Sequence, residues 1–278
     1  MSTSAVVHPL VGREYPPVCR RYDARDVCLY ALGVGTGEES PHLVFEGHRD
    51  FAALPTFPLV LPFPDVLGMG LPDGSTLDDV LHGEQSLVLR APVPVAGEAV
   101  SRCRVVAARD KGAAALFDVE ARIEVDGVHV ATATYSTFVR GAGGWGGERG
   151  SPRPDPEPTG EPDLVLEHEV SANQALVYRL SGDSNPLHAD VETARRAGHE
   201  RPILHGLSTV GTAVRLALES TGGRLERMTA RFTGPVLPGE RIRVSLWTDG
   251  PASWLGRVDV VGREGPAVAP LSLVLTSP

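Results

Sequence analysis

Apolar residues recur at helical spacing in two stretches. Val27, Tyr30, Ala31 and Val34 fall on one face of residues 22–34. Asp23 and Asp26 suit its first turn, and Gly33, Gly35 and Gly37 end it. Residues 207–220 form the longest apolar helical stretch, stopped by Gly222-Gly223. Strand-like patterns fill 81–106 and 113–140, the second bent at the hairpin signal Asp126-Gly127. They return at 164–170, 225–234, 240–248, 253–262 and 267–276, and Leu43-Val-Phe-Glu reads as a further short strand. Ser171 is a candidate N-cap for a helix reaching about Ser181, and Asp190 to Ala197 suits a short helix. Residues 1–21 carry no clear period and lead into the fold. From Leu54 to Leu67 the chain is apolar but broken by Pro55, Pro58, Pro62 and Pro64, a poor helix that could line a pocket.

Glycine and then proline crowd residues 141–162, an irregular connection between an N-terminal half (1–140) and a C-terminal half (163–278). It has no Gly-Lys-Ser/Thr ending and no helix start behind it, so it is not a phosphate loop. The halves echo each other. Leu29-Tyr30-Ala-Leu32 corresponds to Val177-Tyr178-Arg-Leu180, and Val93-Pro-Val-Ala-Gly97-Glu98 to Pro235-Val-Leu-Pro-Gly239-Glu240. Both halves run helix, loop, strands, so two copies of one α+β unit are expected.

The composition, 42% hydrophobic and 22% charged in 278 residues, is that of a globular protein able to bury a sizeable core. No apolar run approaches the roughly 20 residues that cross a bilayer. Neither a secretory signal nor a peroxisomal address is apparent, so a cytoplasmic location is expected, with no membrane partner. A net charge of −9 argues against nucleic acid. Cys19, Cys28 and Cys103 are too few and scattered for a disulfide framework or zinc site. No metal-binding pattern is present.

The chemistry gathers in residues 178–206, Tyr178-Arg-Leu-Ser-Gly-Asp-Ser-Asn-Pro-Leu-His188 followed by Arg201-Pro-Ile-Leu-His-Gly206. Gly182 and Pro186 break regular structure, placing Asp183, Asn185 and His188 on a turn. A carboxyl group and an imidazole held close can share one water, one taking a proton and the other giving one. Asp-x-Asn-Pro alone is also good turn chemistry; His188 and the downstream His205-Gly206 point beyond it. Asn185 either positions His188 or the water, or closes an Asx-turn. Gly206 precedes the long helix, whose free N–H groups could polarise a carbonyl. His205 suits packing or a loop hydrogen bond better than direct catalysis. Arg224, Arg227, Arg231, Arg241 and Arg243 form either a solvated strand face or a phosphate-binding patch.

This pattern of Tyr, spacer, Gly-Asp-x-Asn-Pro-Leu-His and then Pro-Ile-Leu-His-Gly resembles the signature of the R-specific enoyl-CoA hydratases, the hydratase 2 or MaoC-like group. Tyr30-Ala-Leu-Gly-Val-Gly35, Leu54-Pro-Thr-Phe57, Leu81-His-Gly-Glu-Gln85, the Gly141–Gly147 stretch and Arg231-Phe232 extend the resemblance to the double hot-dog hydratases of peroxisomal multifunctional enzymes. The resemblance implies an α+β double hot-dog fold, each repeat with a long helix on an antiparallel sheet. It also implies reversible hydration of a trans-2-enoyl-CoA, with Asp183, His188, Asn185 and Gly206 as catalytic residues. The N-terminal repeat, lacking the motif, would hold the acyl chain. Tyr30, Leu54, Phe57, His82, Gly83, Tyr178 and Arg231 are the expected substrate contacts, Arg231 toward the coenzyme A phosphates. Coenzyme A enters as part of the substrate, no separate cofactor is implied, and a homodimer is the expected assembly. A hydratase or dehydratase for a branched, dicarboxylic or carrier-protein-bound acyl group, or a non-catalytic thioester-binding subunit, are the rival readings.

Overall fold

A computed structural model describes residues 6–150 and 158–277. The proline-rich part of the connection, 151–157, lies outside the described residues. Among the described residues, ten strands form one antiparallel sheet. They are β1 (Val18–Tyr22), β2 (Val80–Leu89), β3 (Gly97–Asp110), β4 (Ala114–Val125), β5 (Val128–Arg140), β6 (Leu164–Glu169), β7 (Arg224–Phe232), β8 (Arg241–Thr248), β9 (Ser253–Val260) and β10 (Pro266–Thr276). Their order, β1-β3-β4-β5-β2-β7-β10-β9-β8-β6, maps onto itself when the halves are exchanged. Each half contributes five strands, and β2 meets β7 at the centre, with Glu84 opposite Arg231 and Leu87 opposite Met228. The repeat read in the sequence is thus a repeat in space. Tyr30 and Tyr178, equivalent in the two halves, face each other with ring centroids 5.9 Å apart.

The helices are α1 (Ala24–Gly33), α2 (Pro41–Val44), α3 (Gln174–Tyr178), α4 (Val191–Arg196) and α5 (Gly206–Thr221). Asp23 caps α1 and forms a capping box with Asp26, which satisfies donors that a helix start leaves open. Gly222 ends α5 in the left-handed region, φ 66°, which glycine adopts at no steric cost. Leu207, Val210 and Val214 of α5 are buried, each contributing roughly 1.5–3 kcal/mol. Ser208 and Thr212 donate to the carbonyls of Gly33 and Val34, tying α5 to the end of α1. The central helix of the C-terminal half therefore rests on both halves.

Three expectations need correction. Residues 43–46 do not form a strand: Pro41 opens the one-turn helix α2, its fixed φ suiting a first helical position. The N-cap before α3 is Asn173 rather than Ser171, and α3 gives way to a 3₁₀ turn at Arg179–Ser181. The repeats also differ in their helices. Where the C-terminal half has 16-residue α5 leading into β7, the N-terminal half leads into β2 through 3₁₀ turns at Phe57–Val60, Asp65–Gly68 and Leu77–Asp79. Four prolines in that stretch remove the N–H donors a helix would need.

The glycine-rich stretch after β5 is irregular, as expected, yet held by the carboxylate of Asp110. Gly112, Gly144 and Gly146 donate their N–H groups to it at 2.8–2.9 Å. Gly144 and Gly146 have φ of 85° and 80°, a region a side chain would disfavour. These bonds, led by that from Gly144, hold the Asp110 pKa down at about 2. The loop is an anion nest whose anion belongs to the same chain.

Candidate active site

The turn bearing Asp183 and His188 is built from local hydrogen bonds. The Asp183 carboxylate accepts from the Asn185 N–H at 3.2 Å. The Asn185 side chain accepts from the Leu187 N–H at 3.0 Å, so it closes an Asx-turn and caps the 3₁₀ turn Pro186–His188. Asp190 then caps α4 by accepting from Thr193. Asn185 also lines the cavity described below, so its structural role does not remove it from the site.

His188 Nδ1 lies 2.9 Å from the carbonyl oxygen of Ile203. A carbonyl only accepts, so Nδ1 carries the proton and the lone pair sits on Nε2. His205 Nε2 likewise donates to the backbone oxygen of Asp183 at 3.1 Å. One donor atom from each of Asp183, His188 and His205 lies within 4.8 Å of the others. A water with two hydrogen bonds of about 2.8 Å spans roughly that distance. A metal ion suits the trio poorly. The His188 and His205 rings stack with centroids 3.6 Å apart and 25° between planes. Stacking keeps the two rings, and so their in-plane lone pairs, in nearly parallel planes, which suits a tetrahedral centre poorly.

Burial sets the electrostatics. Asp183 and His188 are each only 8% exposed. Desolvation raises the Asp183 pKa and lowers that of His188, while their mutual attraction and the backbone bonds at Asn185 and Ile203 oppose both shifts. His205, buried against His188, is pushed well below the usual histidine range. Separated charges are costly in such surroundings, and both shifts run toward the neutral forms of the pair.

Both groups line a cavity of about 300 Å³. Gly206 and Thr209 at the start of α5 border it, as do Phe232, Val236 and Val268 from the C-terminal half. Phe63, Val66, Leu67, Leu77, Val80 and Leu81 form an apolar wall from the N-terminal half. Gly206 is the first residue of α5, so its N–H has no partner within the helix. A Cβ there would stand 2.7 Å from the Phe232 ring, so glycine permits the close approach.

The remaining sequence candidates divide. His82 lines the cavity from β2. The β2–β5 register shifts between His82 and Glu84, making Gly83 the extra residue of a bulge. Burial holds the His82 pKa down at about 4, so this ring is neutral at physiological pH. Tyr30 and Tyr178 are fully buried behind the site, Tyr178 with its ring centroid 4.8 Å from that of His205. Gly83, Leu54 and Phe57 do not line the cavity; Leu54 and Phe57 are core residues, Phe57 packed against Tyr22 and Tyr30. Arg231 also lies outside the lining of this cavity. It pairs with Glu84 at 3.2 Å and borders a separate cavity of about 540 Å³. Arg241 and Arg243 pair with Glu169 and Glu167 on the strand face.

The wall residues were hidden in the sequence because the proline-broken stretch gives no period to say which side chains face the site. A direct expectation follows. Phe57→Ala should cost about 3–5 kcal/mol of stability yet leave the order of preference among acyl chain lengths unchanged. Leu81→Trp, at a half-exposed cavity position, should shift that order toward shorter chains. Denaturation curves and a thioester series of increasing length check both.

Two family models match the chain. The MFE-2 hydratase 2 N-terminal domain matches residues 21–141, and the MaoC-like domain residues 155–266. A probable enoyl-CoA hydratase 2 from Dictyostelium discoideum is 35% identical over 98% of this chain and 97% of its own length. Peroxisomal multifunctional enzyme type 2 of Mus musculus is also 35% identical, over 86% of this chain, which spans 35% of that longer protein. A crystal structure of a MaoC-like dehydratase from Phytophthora capsici superposes with a TM-score of 0.87 at 32% identity, covering 96% of each chain. The ten-stranded arrangement is the double hot-dog fold of such dehydratases.

Proposed function

Because this chain belongs to the MaoC-like, hydratase 2 family, we propose that it hydrates trans-2-enoyl-CoA to R-3-hydroxyacyl-CoA, reversibly, with Asp183 and His188 as the acid–base pair. The observation that carries the assignment of roles is the meeting of these two buried side chains in one cavity beside the tip of α5. The thioester carbonyl docks at the Gly206 N–H, where the helix start favours developing negative charge. The pair holds one water between Asp183 and His188 Nε2. His188 Nε2 takes a proton from that water as its oxygen bonds to C3. The π electrons move toward the thioester oxygen, and Asp183 delivers its proton to C2. A proton returning from His188 to Asp183 through the next water restores the pair. Asn185 keeps the turn in shape, and the apolar wall holds the acyl chain.

The test is direct. Mixed with a trans-2-enoyl-CoA, the protein should lower the absorbance of the conjugated thioester to its equilibrium level, and chiral analysis should find the R product. Binding without loss of absorbance would favour a non-catalytic thioester-binding subunit instead.

The pair works with one proton, on Asp183. A second proton, on His188, removes the base; loss of the last removes the acid. The pH dependence of kcat/KM should therefore be bell-shaped. Desolvation lowers the His188 pKa from 6.5, so the acid limb should lie below pH 6.5. It raises the Asp183 pKa from 3.8, moving the alkaline limb above the ordinary carboxylate range. An acid limb above pH 6.5 would contradict the neutral pair.

Among the described residues no helix is long and apolar enough to cross a membrane. The cysteines Cys19, Cys28 and Cys103 are unpaired, which supports a reducing compartment and the cytoplasmic location included in this proposal. Assembly as a homodimer is part of the same proposal. Cell fractionation and sedimentation test the two.

A further inference from the structure

The cavity draws its apolar wall from one half of the chain and its acid–base pair from the other, so something must hold the two in register. Arg20, on edge strand β1 of the N-terminal half, reaches both. Its Nη1 donates to the carbonyl oxygen of Ser181 at 2.8 Å and to that of Val60 at 3.1 Å. Ser181 stands two residues before Asp183; Val60 stands three before Phe63, which lines the cavity. The intervening Gly182 has φ 138°, and a Cβ there would lie 2.8 Å from Arg20 Nη1 and 3.1 Å from Phe63 Cβ. The chain is thus pressed against the guanidinium at the point where it turns into Asp183.

We propose that Arg20 is a positioning residue for Asp183, fixing the acid against the acyl wall across the boundary between the halves. The inference rests on the reaction proposed above. Asp183 has two backbone restraints on its approach: Arg20 acts through Ser181, and His205 holds the Asp183 carbonyl itself. Charge-assisted bonds to two carbonyls are stronger than neutral ones. Both bonds leave the one nitrogen Nη1, so lysine could supply a charge and donors but not the rigid planar group that aims them at fixed acceptors. Displacement of a reacting group by about 1 Å can cost two orders of magnitude in rate. Arg20 touches no reacting atom, so its effect passes entirely through Asp183.

That last statement makes a mutant cycle decisive. Arg20→Met should lower kcat at least about tenfold with KM within about threefold of the parent, and Arg20→Lys should fall between the two. In an Asp183→Asn background, where the acid is already gone, Arg20→Met should cost less than about twofold more. Wild-type kcat within about twofold in Arg20→Met would overturn the proposal, as would an equal fold-loss in both backgrounds, the mark of a purely structural role. Should Arg20→Met fail to fold, the same cycle run with Arg20→Lys decides by the same two criteria. Failure of the hydratase reading itself shows separately, as no loss of enoyl absorbance with the unmutated protein, and failure of the acid role as full activity in the Asp183→Asn single variant.

Discussion

His188→Ala and Asp183→Asn should each lower the rate of enoyl thioester hydration by two or more orders of magnitude, about the worth of one acid–base group. The two changes probe different halves of one proton transfer. Asp183→Asn keeps the shape of the side chain and an oxygen for the Asn185 N–H, so the turn should survive while the transferable proton is lost. His188→Ala removes the base. It also leaves the Ile203 carbonyl without its donor and the His205 ring without its stacking partner, so some loss of stability should accompany it. KM should change little in either variant, since neither residue forms the apolar wall. The double variant should be scarcely slower than the worse single one, because a pair sharing one water acts as a unit. Stopped assays following thioester absorbance, together with melting curves, check all of this. Near-normal turnover in either single variant would remove the mechanism.

The second large effect is expected at Gly206. As the first residue of α5 it occupies the position where proline is best tolerated in a helix. His205 before it has φ −60° and ψ 135°, the extended conformation a following proline prefers. Gly206→Pro should therefore delete the N–H while leaving the helix largely intact. Its ring would still press on Phe232, as would any Cβ, which stands 2.7 Å from that side chain. Gly206→Ala is the control, bringing the crowding but keeping the donor. Turnover in Gly206→Pro should be about 10²–10³-fold below that of Gly206→Ala, the usual cost of one oxyanion donor. Equal turnover in the two would show that the carbonyl does not depend on this N–H.

Much of this was legible in the chain because it was local. The hairpin at Asp126-Gly127 follows from two residues that tolerate positive φ, observed at 49° and 81°. The α5 pattern and its glycine stop needed no partner to be read. Asp183, Asn185 and His188 lie within one turn, so their spacing carried their meeting. What stayed hidden depended on contacts across the chain. The partner of Arg231, Glu84, is 147 residues away and shows only in the β2–β7 pair. Leu54 and Phe57 looked like pocket lining because an apolar, proline-broken stretch does not say which side chains face the core. The glycine-rich loop concealed its anchor, Asp110, more than 30 residues upstream of Gly144 and Gly146. The N-terminal half also followed its twin in strand order while replacing the long helix with short turns, a substitution that proline content hinted at but did not locate.

With one water gripped by two groups of a single turn, the water's oxygen and the proton of Asp183 must reach the same side of the double bond. Hydration of a trans-2-enoyl-CoA in deuterium oxide, with the product's configuration resolved at both carbons, examines that claim most directly. Syn addition, with deuterium at C2 and the hydroxyl at C3 on one face and a single R-3-hydroxy diastereomer, is the expected result. Deuterium on the opposite face, or scrambled at C2, would contradict it.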